Sequence, residues 1–338
     1  MRASRGLHLD YVSLAEYQAA EWPDVLGVAT FNGSPGPAPG SAGIPIAQVS
    51  TPVLAGSDVY EVWRCGESAE SGQHGRVRFR RTRDMLFGCI ALKEERGSAQ
   101  APLIEATTQA YRQICATLDA EHYPHLLRVW NFLPDINRDS HGIERYRQFN
   151  SARQHALRAS GRPLTGNVPA ASALGAAPDS PLVVYFLAGR TAPTFVENPR
   201  QVSAYHYPRQ YGTHSPVFSR ATLLRQPGCL TLFISGTASI VGHRSLHVGD
   251  IGAQTRETLI NIEALLGEAN RAARSAHFAM SSLACKVYVR RPADLPVIQG
   301  QLSSALGDRA RVVYLQADIC REDLLVEIEG AGMCPLAA

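Results

Sequence analysis

Residues 324–330, LLVEIEG, place two carboxylates, Glu327 and Glu329, on either side of Ile328. Side chains alternate along an extended strand, so both carboxylates project from one face and Val326 from the other. Such a pair is ordinarily solvated. If one of them faces a closed cavity, burial raises its pKa, and a carboxyl that keeps its proton at neutral pH can serve as a general acid. A second stretch with chemical potential is residues 203–221, SAYHYPRQYGTHSPVFSRA. It packs three tyrosines, two histidines and two arginines into 19 residues, stiffened by Pro208 and Pro216. Tyr supplies a directed hydroxyl and Arg a bidentate fork for carboxylates. Tyr205, Tyr207, Arg209 and Tyr211 are the candidates here, against the plainer reading of a Tyr-rich surface loop. A third set, Tyr146, Asn150 and Arg153, shares a helix face at i, i+4 and i+7; a solvated helix face is its plainer reading.

Other chemistries lack their signatures. The chain has no G-x-G-x-x-G, P-loop, H-E-x-x-H or G-x-S-x-G, so neither a nucleotide cradle, a zinc site nor a serine nucleophile is indicated, and no metal or cofactor is expected. A net charge of +3 over 338 residues argues for neither nucleic acid nor a membrane surface. The one basic run, residues 76–83, reads as alternating charge on a strand edge. Seven irregularly spaced cysteines without C-x-x-C indicate reduced thiols. No apolar run is long enough to span a bilayer, and a cytoplasmic location is expected.

The elements that must position these residues fall into two series. Residues 85–137 read as strand (LFGCIAL), helix (101–120) and strand with a Pro-Asp exit (HLLRVWNFLPDIN). Residues 230–295 repeat that order: LTLFISG, a glycine turn, a helix opening at Gly249-Asp250 with Ile251, Thr255, Leu259, Ile262 and Leu266 on one face, then LACKVYVRRPADL. The offset of about 150 residues suggests a diverged internal duplication. The fold class is therefore α+β: two αβ modules, mixed sheets with helices packed on one face. The expected division is an amino-terminal module over 1–160, a Pro/Gly-rich linker or mobile loop over 161–181, and a carboxy-terminal module over 182–338. A further Gly/Pro-rich loop is expected over 31–43.

The second half resembles the YjgF/RidA fold (chorismate mutase-like) in Ile234-Ser235-Gly236, in the helix GDxxxQTRxxLxNIxxLL with Gln254 and Asn261, and in the closing LVEIE strand. It departs after Ile319, where Cys320-Arg321 replaces Pro-Lys. The length, the AYHYPRQYGTHSPVFSRA loop, FISGTASIVGH and ADICREDLLVEIEG together look like the chorismatase family. That resemblance implies a cofactor-free enzyme that removes the enolpyruvyl group of chorismate as pyruvate. It implies Glu327 as the acid protonating the enolpyruvyl methylene. Arg153, Arg209 and Arg311 are the implied carboxylate clamps, with Tyr146, Tyr205, Tyr207, Tyr211 and Asn150 around the ring and Gly236 in the wall. Product choice in the family depends on two small positions, here Ala238 and Cys320. Cys320 points to 3-hydroxybenzoate, with 4-hydroxybenzoate in addition, whereas Ala238 also fits hydrolysis to a dihydroxycyclohexadiene carboxylate. An imine deaminase of the YjgF kind is the other enzyme reading. The chain is expected to be a monomer or homotrimer.

Overall fold

The computed structural model describes residues 6–19, 22–31, 43–56, 58–95, 101–274, 276–307 and 310–336; most of the Gly/Pro-rich loop expected over 31–43 lies outside them. Among the described residues, three larger sheets, two two-stranded ribbons and five α-helices make up the fold. The first sheet holds β1 (His8–Ser13), β2 (Val25–Thr30), β3 (Ile46–Gln48) and β4 (Val59–Arg64), with α1 (Leu14–Ala19) on its outer side. The second is built from β5 (Glu70–His74), β6 (Val77–Arg81), β7 (Met85–Leu92), β8 (His125–Pro134), β11 (Ala170–Ala176) and β12 (Leu182–Gly189). α2 (Pro102–Glu121) and α3 (Arg145–Ala159) cover it, and a two-stranded ribbon of β9 (Asp139–Ser140) and β10 (Ile143–Glu144) leads into α3. The third contains β13 (Thr194–Val196), β14 (Ala221–Gln226), β15 (Cys229–Thr237), β18 (Ala284–Val289), β19 (Arg311–Gln316) and β20 (Val326–Pro335). Its helices are α4 (Ile251–Ala273) and α5 (Leu295–Leu306), and β16 (Ile240–Val241) pairs with β17 (Arg244–Ser245) at its edge.

The second and third sheets have one topology. Their strand orders, β5-β6-β7-β12-β8-β11 and β13-β14-β15-β20-β18-β19, match position for position, each with a parallel pair at one end and a closing strand inserted antiparallel near the middle. The duplication read from the sequence thus extends over the whole module, and helices cover one face of each sheet. All three sheets turn the opposite face to a common core. Leu9, Leu26 and Trp63 come from the first, Phe87, Trp130 and Tyr185 from the second, and Phe233, Tyr288 and Leu315 from the third.

The expected module boundaries need correction. β12 is the closing strand of the second sheet, so that module runs to Gly189 and the next one does not begin at 182. Residues 161–181 are not a linker, because they contain β11, which pairs in parallel with β8. Their small side chains have another cause. β11 runs between the two sheets, bridging to Ser219 and Ile319, and a Cβ on Gly175 would come within 2.7 Å of Asp318 Cβ. The four strands β1 to β4 form a sheet of their own. The basic run lies on β6, which is flanked by β5 and β7 and is not a sheet edge.

α4 shows how the helices serve the site. Asp250 caps it, accepting from Ala253 N at 2.9 Å. Of its expected apolar face, Thr255, Ile262 and Leu266 are buried. Two buried polar residues on this helix hold loops. Gln254 accepts from Leu325 N (2.8 Å) and donates to Asp323 O (2.7 Å). Asn261 donates to Ala238 O (3.1 Å) and Ile240 O (2.9 Å). The turn after β15 and the loop before β20 are therefore fixed from one helix.

Candidate active site

A cleft of about 730 Å³ opens where these two loops meet the start of α3. β20 supplies Glu327, the end of β15 supplies Gly236 and Ala238, and the loop before β20 supplies Cys320 and Arg321. The segment ahead of β14 gives Tyr207, Tyr211, Phe218 and Arg220, and the other module contributes Tyr146 and Arg147. Its size is that of a small-molecule pocket.

Glu327 is 4 % exposed. Its carboxyl lies over Gly236, where the backbone leaves no space for a Cβ, which would collide with Glu327 Oε1. Burial first, and then the charge of Glu329, push its pKa up to about 8 against the pull of Arg128 and Arg220. Glu327 is thus protonated at neutral pH. Glu329 points the same way along β20 and is ionised. Burial pushes it up, but Lys286 and Arg128, joined by the Ser172 hydroxyl, outweigh burial and hold it below the ordinary carboxyl value. The two carboxyls thus separate into an acid and a fixed charge.

Two arginines line the cleft together with the acid. Arg220 is buried; its Nη2 donates to Val202 O (2.7 Å) and Tyr207 Oη (2.8 Å), and its guanidinium lies 5.2 Å from the Phe218 ring, leaving Nε without a partner. Arg321 stacks 4.0 Å over Tyr211 and 5.3 Å from Tyr207; its Nη1 donates to His243 O (3.0 Å) and Ser245 Oγ (3.1 Å), leaving Nη2 unpartnered. Buried N–H groups that are fixed yet unused are a ready receptor for anionic oxygen.

The expected residues divide. Glu327, Cys320, Tyr146, Tyr207, Tyr211, Gly236 and Ala238 line the cleft. Cys320 Sγ is raised to about 12, by burial and then by Glu327, so it is a neutral thiol and not a nucleophile. Burial raises the Tyr146 phenol as well, so it too stays protonated. Arg209 is exposed outside the cleft, and Tyr205 packs against the second module's core. Arg311 is misplaced by the sequence reading. It begins β19 opposite Ala284, four residues along β18 from the partner of Glu327, and donates to Leu9 O at 2.6 Å. At about 3.3 Å per residue that is roughly 13 Å from the acid. Asn150 and Arg153 are buried and bonded to each other (2.8 Å), and Arg153 lines a separate cavity of about 350 Å³ behind α3. Arg220 and Arg321 are the cleft-lining arginines that the spacing did not single out. The signal for Arg220 was available: it stands two residues after Phe218 at the mouth of an apolar strand, the alternation that turns a side chain inward.

Residues 61–188 match the family described as Chorismatase FkbO/Hyg5-like, N-terminal. Curated relatives include a 3-hydroxybenzoate synthase of Streptomyces hygroscopicus, 36% identical over 86% of this chain and 86% of its own. A chorismatase of Streptomyces rapamycinicus is 38% identical over 85% of this chain and 86% of its own. A crystal structure of a chorismatase superimposes with a TM-score of 0.89 at 32% identity, covering 97% of this chain and 98% of that one. The chain belongs to the chorismatase family.

Proposed function

We propose that the protein converts chorismate to 3-hydroxybenzoate and pyruvate, with Glu327 as the proton donor. The observation that carries this is a buried carboxyl, protonated up to about pH 8, facing a cleft with two arginines whose N–H groups are unused. Chorismate has two carboxylates and an enol ether; Arg220 and Arg321 take the carboxylates, and Tyr207, Tyr211 and Tyr146 wall the ring. Glu327 gives its proton to the enolpyruvyl methylene, and the developing oxocarbenium ion is offset by the carboxylate left behind. The neighbouring ring hydroxyl adds to this ion and gives up its proton, closing a cyclic ketal. Loss of the proton on the ether-bearing ring carbon then breaks the C–O bond at the former hydroxyl carbon and aromatises the ring. The hemiketal left behind collapses, breaking its bond to the phenolic oxygen, to pyruvate and 3-hydroxybenzoate. Glu327 is then reprotonated, and the two products together contain all the atoms of chorismate. Arg153, through Asn150, stands behind Tyr146 and supports the ring wall.

The name of the Streptomyces hygroscopicus relative and the presence of Cys320 in the cleft favour 3-hydroxybenzoate, with 4-hydroxybenzoate as a minor product. Ala238 favours the second reading, capture by water to give 3,4-dihydroxycyclohexa-1,5-dienoate. The cleft draws on both modules of one chain, so we read a monomer as sufficient for turnover. Among the described residues no helix is long and apolar enough to cross a membrane. Incubation with chorismate, with pyruvate measured enzymatically and the aromatic fraction separated by chromatography, tests the reading. Pyruvate with 3-hydroxybenzoate is expected. The dihydrodiol alone overturns the product assignment, and absence of pyruvate overturns the reaction.

A further inference from the structure

Behind Glu327, at the meeting of all three sheets, four charged side chains are buried together. Lys286 of β18 contacts Glu61 Oε2 at 2.5 Å, Tyr185 Oη at 2.7 Å and Glu329 Oε1 at 2.9 Å. Arg128 of β8 reaches Glu329 Oε2 at 2.6 Å and Ser172 Oγ at 2.5 Å. Trp63 Nε1 donates to Glu61 and Trp130 Nε1 to Glu329, each at 2.7 Å. The cavity beside them is about 10 Å³, at the lower limit of the roughly 10–15 Å³ that one water needs. Two acids and two bases balance. The cluster touches the site through Ser172, which donates to Glu329 and accepts from the N–H of Gly236, the residue beneath the Glu327 carboxyl.

We propose that Glu61, contributed by the amino-terminal sheet, is a positioning residue for the reaction: by holding Lys286 against Glu329 it keeps this cluster balanced and fixes one negative charge two residues from the acid. Replacing a buried ion pair with apolar groups is often neutral for stability, so stability alone does not explain the cluster. Its location does. Glu327 is faced by Glu329 on its own strand, Arg128 from β8, Arg220 from the residue ahead of β14, Tyr288 from β18, Tyr146 from α3 and Cys320 from the preceding loop. Of these, Glu329 and Arg128 belong to the cluster. An unbalanced positive charge there favours the ionised acid, and an unbalanced negative charge favours the protonated one.

The inference rests on Glu327 as the proton donor, and the test separates the two. Pyruvate release by the full chain is followed from pH 6 to 10 in wild type, Glu61→Gln, Lys286→Met and the double variant. Wild type loses kcat through a basic limb near pH 8. Glu61→Gln leaves the cluster one charge positive and shifts the limb down, Lys286→Met shifts it up, and the double variant, balanced again, returns it to the wild-type position. A unit charge about 10 Å away in a partly screened interior moves the limb by about one pH unit. Limbs that coincide in all four proteins, with only the amount of activity reduced, overturn the proposal and leave Glu327 in place. If Glu61→Gln does not fold, the upward shift in Lys286→Met decides. A Glu327→Gln variant that retains turnover overturns the acid itself.

Discussion

Replacing Glu327 by Gln should make the protein more stable while abolishing turnover, and the gain should grow with pH. The unfolded chain holds this carboxyl at the ordinary 4.5, whereas the fold raises it to about 8. Between those values the native state binds more protons than the unfolded state. The stability from the raised group is therefore complete below pH 4.5 and is lost as pH rises through 8. The loss is about 2 kcal/mol at pH 6 and about 3 kcal/mol at pH 7, and it levels off at about 5 kcal/mol above pH 8. Gln has nearly the same shape and does not titrate, so the variant sheds this loss and pulls ahead of wild type by similar amounts. Urea midpoints of both proteins at unit intervals from pH 5 to 9 measure the difference. Parallel profiles would mean that the carboxyl does not titrate near 8 in the native state. A variant that falls behind as pH rises would mean that the charged form is the one the fold prefers. Either result refutes the acid assignment on physical grounds, independently of any assay of turnover.

The cleft yields further expectations. Arg220→Leu and Arg321→Leu should each weaken chorismate binding by about 10- to 100-fold, the value of one lost charge-assisted contact, whereas Arg209→Leu and Arg311→Leu should leave it nearly unchanged; calorimetric titration distinguishes the two pairs. Gly236→Ala puts a methyl where Glu327 Oε1 sits. Overpacking of this kind costs about 1–3 kcal/mol, and turnover per folded molecule should fall further than the melting temperature suggests. Because the Cys320 thiol is held near 12, Cys320→Ala should keep pyruvate release within a few-fold, and iodoacetamide should inactivate the wild type only slowly; rapid inactivation at pH 7.5 would contradict the neutral thiol.

The parts of the site that a strand or helix period determines were legible in the sequence. Alternation in LVEIE places both carboxylates on one side of β20, and the period of α4 puts Gln254 and Asn261 inward, where they hold the loops around Glu327. The arginines were less accessible. Arg209 and Arg220 lie in the same loop, and only the turn around residues 209–211 followed by re-entry at Phe218 decides that one is exposed and the other buried. Arg311 failed because a position along a strand is invisible until the register with β18 is known. The segment 161–181 misled for a different reason. Small residues signal looseness in an isolated chain, but in β11 they are what a strand between two sheets requires. Lys286 and Arg128 carried no sequence signal, being single charges in apolar runs whose partners lie up to 225 residues away, as Glu61 does from Lys286.

Matching the two repeats strand for strand aligns Arg128 with Lys286 and, through the registers of β12 and β20, Tyr185 with Glu327. Where one repeat presents an acid to a cleft, the other presents a phenol stacked 4.5 Å from Trp130 in the core. In an assembly of identical modules, every substitution appears at each seam, and a residue has to serve catalysis and packing with the same side chain. With both repeats on a single chain, the two seams mutate independently. One is a packed fastening and the other opens as a cleft, and neither constrains what the other can accept.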